Sequence, residues 1–140
     1  AYLRYKTHAE KNSLYNTPPV FAVFAMNLVM KWIKEQGGVE GIEKINRKKA
    51  DTVYQAIERN GGFYSCPVDP AVRSVMNVVF RLPKEELEKQ FIQEAEEQGM
   101  IGLKGHRSVG GCRASMYNAM PQEGAERLAD FMDEFARKHG

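Results

Sequence analysis

One segment of the chain is apolar on every side and restricts what the sequence can fold into. Between residues 20 and 30 only Asn27 is polar, and no charged residue occurs there. The segment follows Asn16, Thr17 and two prolines, and an Asn or Thr side chain before proline is typical of a helix start. The pattern therefore predicts a helix to about Gln36, with Asn16 and Thr17 capping its first turn. A helix without a polar face must be covered by the rest of a larger domain or by a partner subunit.

The amino-acid composition is typical of a globular protein rather than of a membrane protein or a nucleic-acid-binding protein. Of the 140 residues, 43% are apolar, which is enough for one hydrophobic core. The net charge is only +2, which is a smaller basic excess than a dedicated nucleic-acid-binding domain carries. The most apolar run, residues 20–33, is shorter than the roughly 20 residues that span a bilayer. Residues 1–12 lack the apolar core of a secretory signal. We therefore expect a soluble, cytoplasmic protein without a membrane partner.

The order of the remaining predicted elements indicates an α+β fold. Residues 1–15 have the composition of an irregular or extended lead. From about residue 39 the pattern is α-β-β-α-β-β-α, and residues 74–82 alternate most clearly between two side-chain sets. The predicted helices cover 39–60, 84–98 and 122–139, and the predicted strands cover 63–66, 74–82, 100–103 and 114–118. A small, mainly antiparallel sheet with helices on one side satisfies this order.

A glycine-rich basic loop is the main candidate for a binding site. No acidic residue occurs between Glu97 and Glu123. The segment contains the basic side chains of Lys104, His106, Arg107 and Arg113 and the glycines Gly102, Gly105, Gly110 and Gly111. Guanidinium groups bind carboxylate or phosphate in bidentate fashion, and glycines let the backbone approach a ligand closely. Two arginines six residues apart suit a ligand with two anionic ends, although a solvated basic loop has the same composition.

The other chemically capable side chains do not form a catalytic set. Cys112 stands next to Arg113, and a neighbouring positive charge lowers a thiol pKa, but no acid–base partner is evident. Cys66 and Cys112 show no metal-ligand spacing, so we predict no metal site. His8 and His139 lie near the termini and are expected to be solvated. The residues alone thus indicate a soluble module with an anion-binding loop.

Two segments resemble a known enzyme family. They are Asn16-Thr17-Pro18-Pro19, which follows Ser13-Leu14-Tyr15, and the run at residues 104–119, which reads KGHRSVGGCRASMYNA. Together with residues 62–64 and 130–132 they are similar to phosphoserine aminotransferases, and the likeness covers essentially the whole chain. The long run is characteristic of that enzyme rather than of aminotransferases in general, and its particular residues resemble those of the bacterial enzymes.

The resemblance implies a homodimeric, pyridoxal-phosphate-dependent transferase of fold type I. Such enzymes exchange an amino group between glutamate or 2-oxoglutarate and 3-phosphohydroxypyruvate or O-phosphoserine in serine biosynthesis, and bacteria also use them in pyridoxine biosynthesis. By the same resemblance, residues 1–38 correspond to the end of the large cofactor-binding domain. Residues 39–140 correspond to the C-terminal small domain.

Five residues of this chain match functional positions of the family. By resemblance, Asn16 and Thr17 bind the cofactor phosphate of the other subunit across the dimer. Arg113 resembles the arginine that binds the substrate α-carboxylate. His106 and Arg107 resemble the pair that binds the far end of the substrate, which is a phosphate in phosphoserine and a carboxylate in glutamate.

The family's Schiff-base lysine has no counterpart here. In the family it lies upstream of the matched segment, as do the aromatic residue stacked on the cofactor ring and the acid paired with the ring nitrogen. Pyridoxal-phosphate chemistry needs that lysine. We therefore predict no catalytic residue in this chain, no activity of the chain alone, and a C-terminal position in a longer polypeptide.

Two other functions agree with parts of the pattern. A non-catalytic binding module for small anionic metabolites would need only the α+β module and the basic loop. Nucleic-acid binding is less well supported, because no aromatic residue interleaves the charges at residues 104–113 and stacking platforms normally need one.

Overall fold

The computed structural model describes all 140 residues, which divide into two compact units, Ala1–Val39 and Glu40–Gly140. No helix is long and apolar enough to cross a membrane. The assignment of residues 1–38 to a large cofactor-binding domain and of 39–140 to a small domain stays a prediction.

The first unit contains two helices, α1 (Tyr5–Ala9) and α2 (Val20–Glu35). The bounds of α2 agree with the apolar pattern, but the lead expected to be irregular contains the short helix α1. The predicted capping by Asn16 and Thr17 is wrong, because Pro19 is the N-cap residue and no side chain caps the helix. A capping side chain must directly precede the first turn, and two prolines separate Thr17 from it.

The apolar side chains of α2 are exposed. None of its residues is buried, and Phe21 is 82% exposed. Its exposed large apolar residues are Val20, Phe21, Val23, Phe24, Met26, Leu28, Val29 and Met30. The helix therefore presents a large apolar surface of the kind that proteins normally cover.

The second unit is a small antiparallel sheet combined with three helices. Its elements are α3 (Gly38–Arg59), whose first two residues belong to the first unit, a 3-10 turn (Pro70–Val72), β1 (Asn77–Phe80), α4 (Glu85–Glu97), β2 (Cys112–Ser115) and α5 (Gln122–His139). The two strands are antiparallel, with Val79 opposite Arg113 and Phe80 opposite Cys112. The predicted α+β class and the predicted helices are confirmed.

Two of the predicted strands do not form. Residues 63–66 contribute the bridge between Ser65 and Arg81 and a local bridge between Tyr64 and Gly61. Residues 100–103 form no strand, and the nearest pairing is the bridge between Lys104 and Cys112. The first segment lies between two glycines and Pro67, and proline has no N–H to extend a ladder. The segment before Lys104 contains Gly102 at φ 81°, a conformation that interrupts an extended strand.

One face of the sheet forms the core together with the helices. Val78, Phe80, Cys112 and Ala114 are buried in one cluster with side chains of α3, α4 and α5. Phe91 of α4 lies at the centre, with its ring centroid 5.6 Å from that of Phe80 and between 4.9 and 6.1 Å from those of Tyr64, Phe131 and Phe135. The opposite face carries the half-buried side chains of the alternate residues.

The inward face of α3 is not purely apolar. Ile45 is 36% exposed, whereas Asn46 and Lys49 are buried. The Lys49 Nζ donates to the carbonyls of Tyr117 at 2.8 Å and Met120 at 2.9 Å, and its burial lowers the pKa of the ammonium group. Buried charges need such partners. Lys49 therefore attaches the segment that follows β2 to helix α3.

Candidate functional site

The strand β2 places Arg113 on the face of the sheet that is turned away from the core. Side chains alternate along a strand, so Cys112 and Ala114 are buried while Arg113 is half-buried. Its backbone N–H donates to the Leu103 carbonyl at 2.8 Å, and Val79 is its partner across the sheet. Arg113 is therefore held on a fixed backbone at the edge of the glycine-rich loop.

The loop at residues 105–111 closes on itself just before β2. The Gly105 N–H donates to the Gly111 carbonyl at 2.8 Å. A Cβ on Gly105 would lie 2.1 Å from the Gly110 carbonyl oxygen, and one on Gly111 would lie 2.9 Å from the Phe80 carbonyl oxygen. No larger residue fits at either position, so the glycines expected to allow close approach serve the folding of the loop itself.

The loop holds the His106 ring in a defined orientation. The backbone N–H of Ser108 lies 3.2 Å from His106 Nδ1, and the Ser108 Oγ lies 2.7 Å from the same atom. A backbone N–H can only donate, so Nδ1 is the acceptor. The proton of the neutral ring is then on Nε2, which leaves Nε2–H available to a ligand oxygen.

The predicted substrate-binding residues line two adjacent cavities. The Arg113 cavity, about 230 Å³, is lined by Pro67, Val79, His106 and Arg113 among others. The Arg107 cavity, about 670 Å³, is lined by Lys104, Arg107, Glu88 and Lys89 among others. Arg81, Gly105, His106, Val109 and Gly110 line both cavities. The structure thus brings His106 and Arg113 to one cavity, and Arg107 to the neighbouring one.

Three basic groups of these cavities have no acidic partner within the chain, whereas Arg81 pairs with Glu88. None of the ion pairs of the chain involves Lys104, Arg107 or Arg113. The Arg113 Nε is buried and has no hydrogen-bond partner. A buried, unsatisfied donor on a charged group is costly unless a ligand supplies the acceptor. The arrangement therefore suits an anion, and a carboxylate matches the guanidinium geometry best.

Cys112 is not a reactive thiol. Its side chain is 1% exposed on the core face of β2. Burial, with a further contribution from the Glu88 carboxylate, raises the pKa of Cys112 to about 12. The low pKa considered from its position beside Arg113 is therefore wrong, because the two side chains point to opposite faces of the strand.

The raised pKa of Cys112 predicts a loss of stability in alkali. The unfolded thiol has a pKa of 9.0 and the folded one about 12, so the unfolded state releases its proton first. The contribution is fully present below pH 9 and is lost as the pH rises toward 12. At about pH 10.5 we expect a loss of about 2 kcal/mol, from 1.36 kcal/mol per pKa unit.

Urea unfolding under reducing conditions, at about pH 8 and about pH 10.5, measures this loss. A Cys112→Ala variant should lose about 2 kcal/mol less between the two values than the unsubstituted chain. Cys66→Ala is the matched control and should lose as much as the unsubstituted chain. Equal losses in both variants would contradict the assignment to Cys112.

Arg81 belongs to the same region, although the sequence pattern did not single it out. It follows β1 directly and lines both cavities. Its Nη1 lies 3.4 Å from both carboxylate oxygens of Glu88, and its Nη2 donates to the Val109 carbonyl. One feature of the sequence could have identified Arg81 as a residue of this region: in the alternating pattern of residues 74–82 it lies on the same side of the strand as Val79.

Asn16 and Thr17 lie in the first unit, and both are exposed. The Asn16 Oδ1 accepts a hydrogen bond from the Tyr2 hydroxyl at 2.7 Å. Their side chains therefore remain accessible, and their roles stay predictions. No group of three or more His, Cys, Asp or Glu side chains could hold a metal ion.

A third cavity has a different character. It has a volume of about 350 Å³ and lies between residues 99–103, the end of β2 and the start of α5. Its lining is mainly apolar and contains none of the predicted site residues. Its one charged side chain, Arg127, donates to the Gln98 carbonyl.

Comparison with known proteins defines the class of the chain. The family profile described as aminotransferase class V matches residues 1–128. The chain therefore belongs to the class-V aminotransferase family.

Several similar proteins are phosphoserine aminotransferases. Phosphoserine aminotransferase from Herpetosiphon aurantiacus is 61% identical over 138 residues, which are 99% of this chain and 38% of that protein. The solved phosphoserine aminotransferase from Bacillus circulans subsp. alkalophilus matches with a TM-score of 0.92 at 56% identity, over 99% of this chain and 38% of that one. A pyridoxal-phosphate-bound phosphoserine aminotransferase from Trichomonas vaginalis matches with a TM-score of 0.83 at 36% identity, over 92% and 37%.

The resemblance to phosphoserine aminotransferases is thereby confirmed. The chain spans about 38% of the length of the first relative and of the Bacillus structure.

Proposed function

We propose that these residues form the substrate-binding part of a phosphoserine aminotransferase. The reaction transfers an amino group from O-phosphoserine to 2-oxoglutarate, giving 3-phosphohydroxypyruvate and glutamate, or runs in reverse. It belongs to serine biosynthesis, and in bacteria the same enzyme would also serve pyridoxine biosynthesis. The proposal includes a cytoplasmic homodimer, with residues 1–38 in the large domain and residues 39–140 in the small domain.

The observation that carries the proposal is the unpaired Arg113 beside His106. Both line one cavity, and the Arg113 Nε is buried without an acceptor. O-Phosphoserine and glutamate each have two anionic ends. In this proposal the Arg113 guanidinium binds the α-carboxylate in bidentate fashion.

The far end of the substrate is bound by the loop. The His106 Nε2–H and the Arg107 guanidinium donate to the phosphate of phosphoserine or to the side-chain carboxylate of glutamate. Because the loop holds the His106 ring through Ser108, the donor is oriented before the ligand arrives. Holding both ends orients the substrate, and such positioning is worth about 7–11 kcal/mol in favourable intramolecular reactions.

The first unit offers donors that fit the phosphate group of pyridoxal phosphate. The Asn16 amide and the Thr17 hydroxyl are exposed, and both side chains are phosphate donors in proteins. In this proposal they hold the cofactor phosphate of the other subunit. When bound, pyridoxal phosphate supplies the aldehyde that carries the amino group and the conjugated ring that stabilises negative charge on the substrate carbon.

The chain contributes binding and orientation rather than the proton transfers. No lysine here has the sequence context of the family's cofactor-bearing lysine. We therefore propose that the 140 residues alone are inactive and that the lysine comes from the natural polypeptide that contains them.

A coupled assay tests this function. Phosphoserine, 2-oxoglutarate and pyridoxal phosphate are supplied to the natural polypeptide and, in parallel, to the 140-residue chain, and glutamate formation is followed. We expect activity in the first and none in the second. A natural polypeptide that binds the cofactor but forms no glutamate from phosphoserine would contradict the substrate class. Saturable phosphoserine binding without any turnover would instead favour a non-catalytic binding module.

Replacement of His106 or Arg107 by Ala should affect mainly the phosphorylated substrate. We expect KM for phosphoserine to rise about 10- to 100-fold, because a hydrogen bond to a charged group contributes about 1.5–3 kcal/mol. KM for glutamate should rise less, since a carboxylate carries less charge than a phosphate. Steady-state kinetics of the natural polypeptide measures both values.

Arg47→Ala is the control for this experiment. Arg47 is an exposed arginine of α3 that pairs with Glu43 at 2.6 Å, and its loss should leave both KM values unchanged. Equal increases for the two substrates in the His106 and Arg107 variants would contradict the assignment of the far end.

A further inference from the structure

Arg81 has a fixed backbone beside the loop that carries His106 and Arg107. The Arg81 N–H donates to the Ser65 carbonyl at 2.8 Å, and its own carbonyl accepts from the Ser65 N–H at 3.0 Å. These bonds extend the pairing just beyond β1. The start of the Arg81 side chain is therefore defined by the sheet and not by the loop.

The guanidinium group of Arg81 is directed by a buried carboxylate. Glu88 of α4 is only 8% exposed, and its Oε1 accepts from the Leu82 N–H at 3.4 Å. Both Glu88 oxygens lie 3.4 Å from Arg81 Nη1. A buried carboxylate needs a partner of opposite charge, so this ion pair turns Nη2 toward the loop.

Arg81 makes the one hydrogen bond that the loop tip receives from outside. Within residues 106–110 the other hydrogen bonds are internal, namely those of the Val109 and Gly110 N–H groups to the His106 carbonyl and those between His106 and Ser108. The Arg81 Nη2 donates to the Val109 carbonyl. The orientation of the loop tip relative to the sheet thus depends on this contact.

The loop also lies directly on the Arg81 side chain. A Cβ on Gly111 would be 2.7 Å from Arg81 Cδ, and one on Gly110 would be 3.1 Å from Arg81 Nη1. Both glycines have positive φ, 70° and 75°. The side chain therefore supports the loop by packing as well as by hydrogen bonding.

We infer that Arg81 is a positioning residue which, held by Glu88, keeps the loop at residues 105–111 in the orientation that presents His106 and Arg107 to the phosphate of the substrate. The inference rests on the proposed function for the identity of the substrate. Arg81 acts through the loop and does not itself bind the phosphate.

Two measurements on the natural polypeptide loaded with pyridoxal phosphate test this role in Arg81→Gln. Hydrogen exchange of the peptide covering residues 104–111 should accelerate at least about tenfold, because a charged hydrogen bond is lost. KM for phosphoserine should rise about tenfold, with a smaller change in kcat. Arg81→Lys keeps a charged donor and should recover part of both effects.

Arg73→Gln is the matched control. Arg73 is a guanidinium of the same unit that pairs with Glu58 at 2.8 Å and lies 4.8 Å from the centre of the Tyr54 ring, outside both cavities. Its replacement should change neither loop exchange nor KM.

A double-mutant cycle separates positioning from direct binding. If Arg81 acts through the loop, Arg81→Gln should change KM less than about twofold in a His106→Ala, Arg107→Ala background, since effects on one network are not additive. The same fold-change in both backgrounds would overturn the inference, and so would unchanged loop exchange in Arg81→Gln. A wild-type enzyme inactive on phosphoserine would instead contradict the proposed function, and loop exchange, which needs no substrate, would still decide whether Arg81 holds the loop.

Discussion

Replacing Arg113 with Ala is expected to reduce kcat/KM for both phosphoserine and glutamate by about 100-fold or more. The reason is that both substrates share the α-carboxylate, and removing one partner of a buried charged pair costs about 2–5 kcal/mol. The Arg113 Nε is already buried and without a protein acceptor, so no other side chain of the chain competes for it. Steady-state kinetics of the natural polypeptide with each substrate varied in turn measures the effect.

Arg113→Lys distinguishes geometry from charge. Lysine keeps the charge but loses the planar pair of donors, so it should restore only a small part of the lost activity. Full recovery would mean that a point charge suffices at this position. An Arg113→Ala enzyme with normal kcat and KM would contradict the carboxylate-binding role.

Replacing Phe91 with Ala should give the largest loss of stability. Phe91 is 0% exposed, and its ring lies among four aromatic rings from other parts of the second unit. Truncation of a fully buried Phe removes its transfer free energy and leaves a cavity, which costs about 3–5 kcal/mol. Hydrogen exchange of the amides of Leu128 and Met132 in α5, measured in the natural polypeptide, reports this loss as a lower free energy of opening.

Gln93→Ala is the control in the same helix. Its side chain is exposed and bonds only Glu97, one turn further along α4, so its replacement should change the free energy of opening by less than about 0.5 kcal/mol. If Phe91→Ala cost no more than Gln93→Ala, the aromatic cluster would not be the centre of the core.

The helices α2 to α5 were predictable because their signals are local. Helix α5 has the predicted bounds, since Pro121 precedes it and apolar residues recur at helical spacing. The short strands were harder to predict. Residues 63–66 have the composition of a strand. A strand there would need free backbone groups on residues 77–82, and of these residues only Arg81 pairs with the segment, through Ser65.

The start of α2 shows that capping residues in the sequence do not by themselves fix where a helix begins. Asn16 and Thr17 are good capping residues, yet the helix begins only after Pro19. The same two residues are predicted to bind the cofactor phosphate. Their exposure leaves the side chains accessible, and their part in cofactor binding stays a proposal.

The sequence by itself determined the helices α2 to α5, the α+β class and the family, and it predicted an anionic ligand. These properties depend on residue types and short spacings, such as the run without acidic residues that contains His106, Arg107 and Arg113. Periodicity and stop signals act over a few residues, so they can be identified without knowing the rest of the fold.

Only the tertiary structure decided which polar side chains are buried and which groups meet. Lys49 is buried because carbonyls about 70 residues further along the chain accept its protons. Cys112 has a raised pKa because it faces the core, and Arg81 contacts the loop because Glu88 and Val109 lie on either side of it. Burial and charge pairing depend on residues far apart in sequence, and these contacts are set only when the chain has packed.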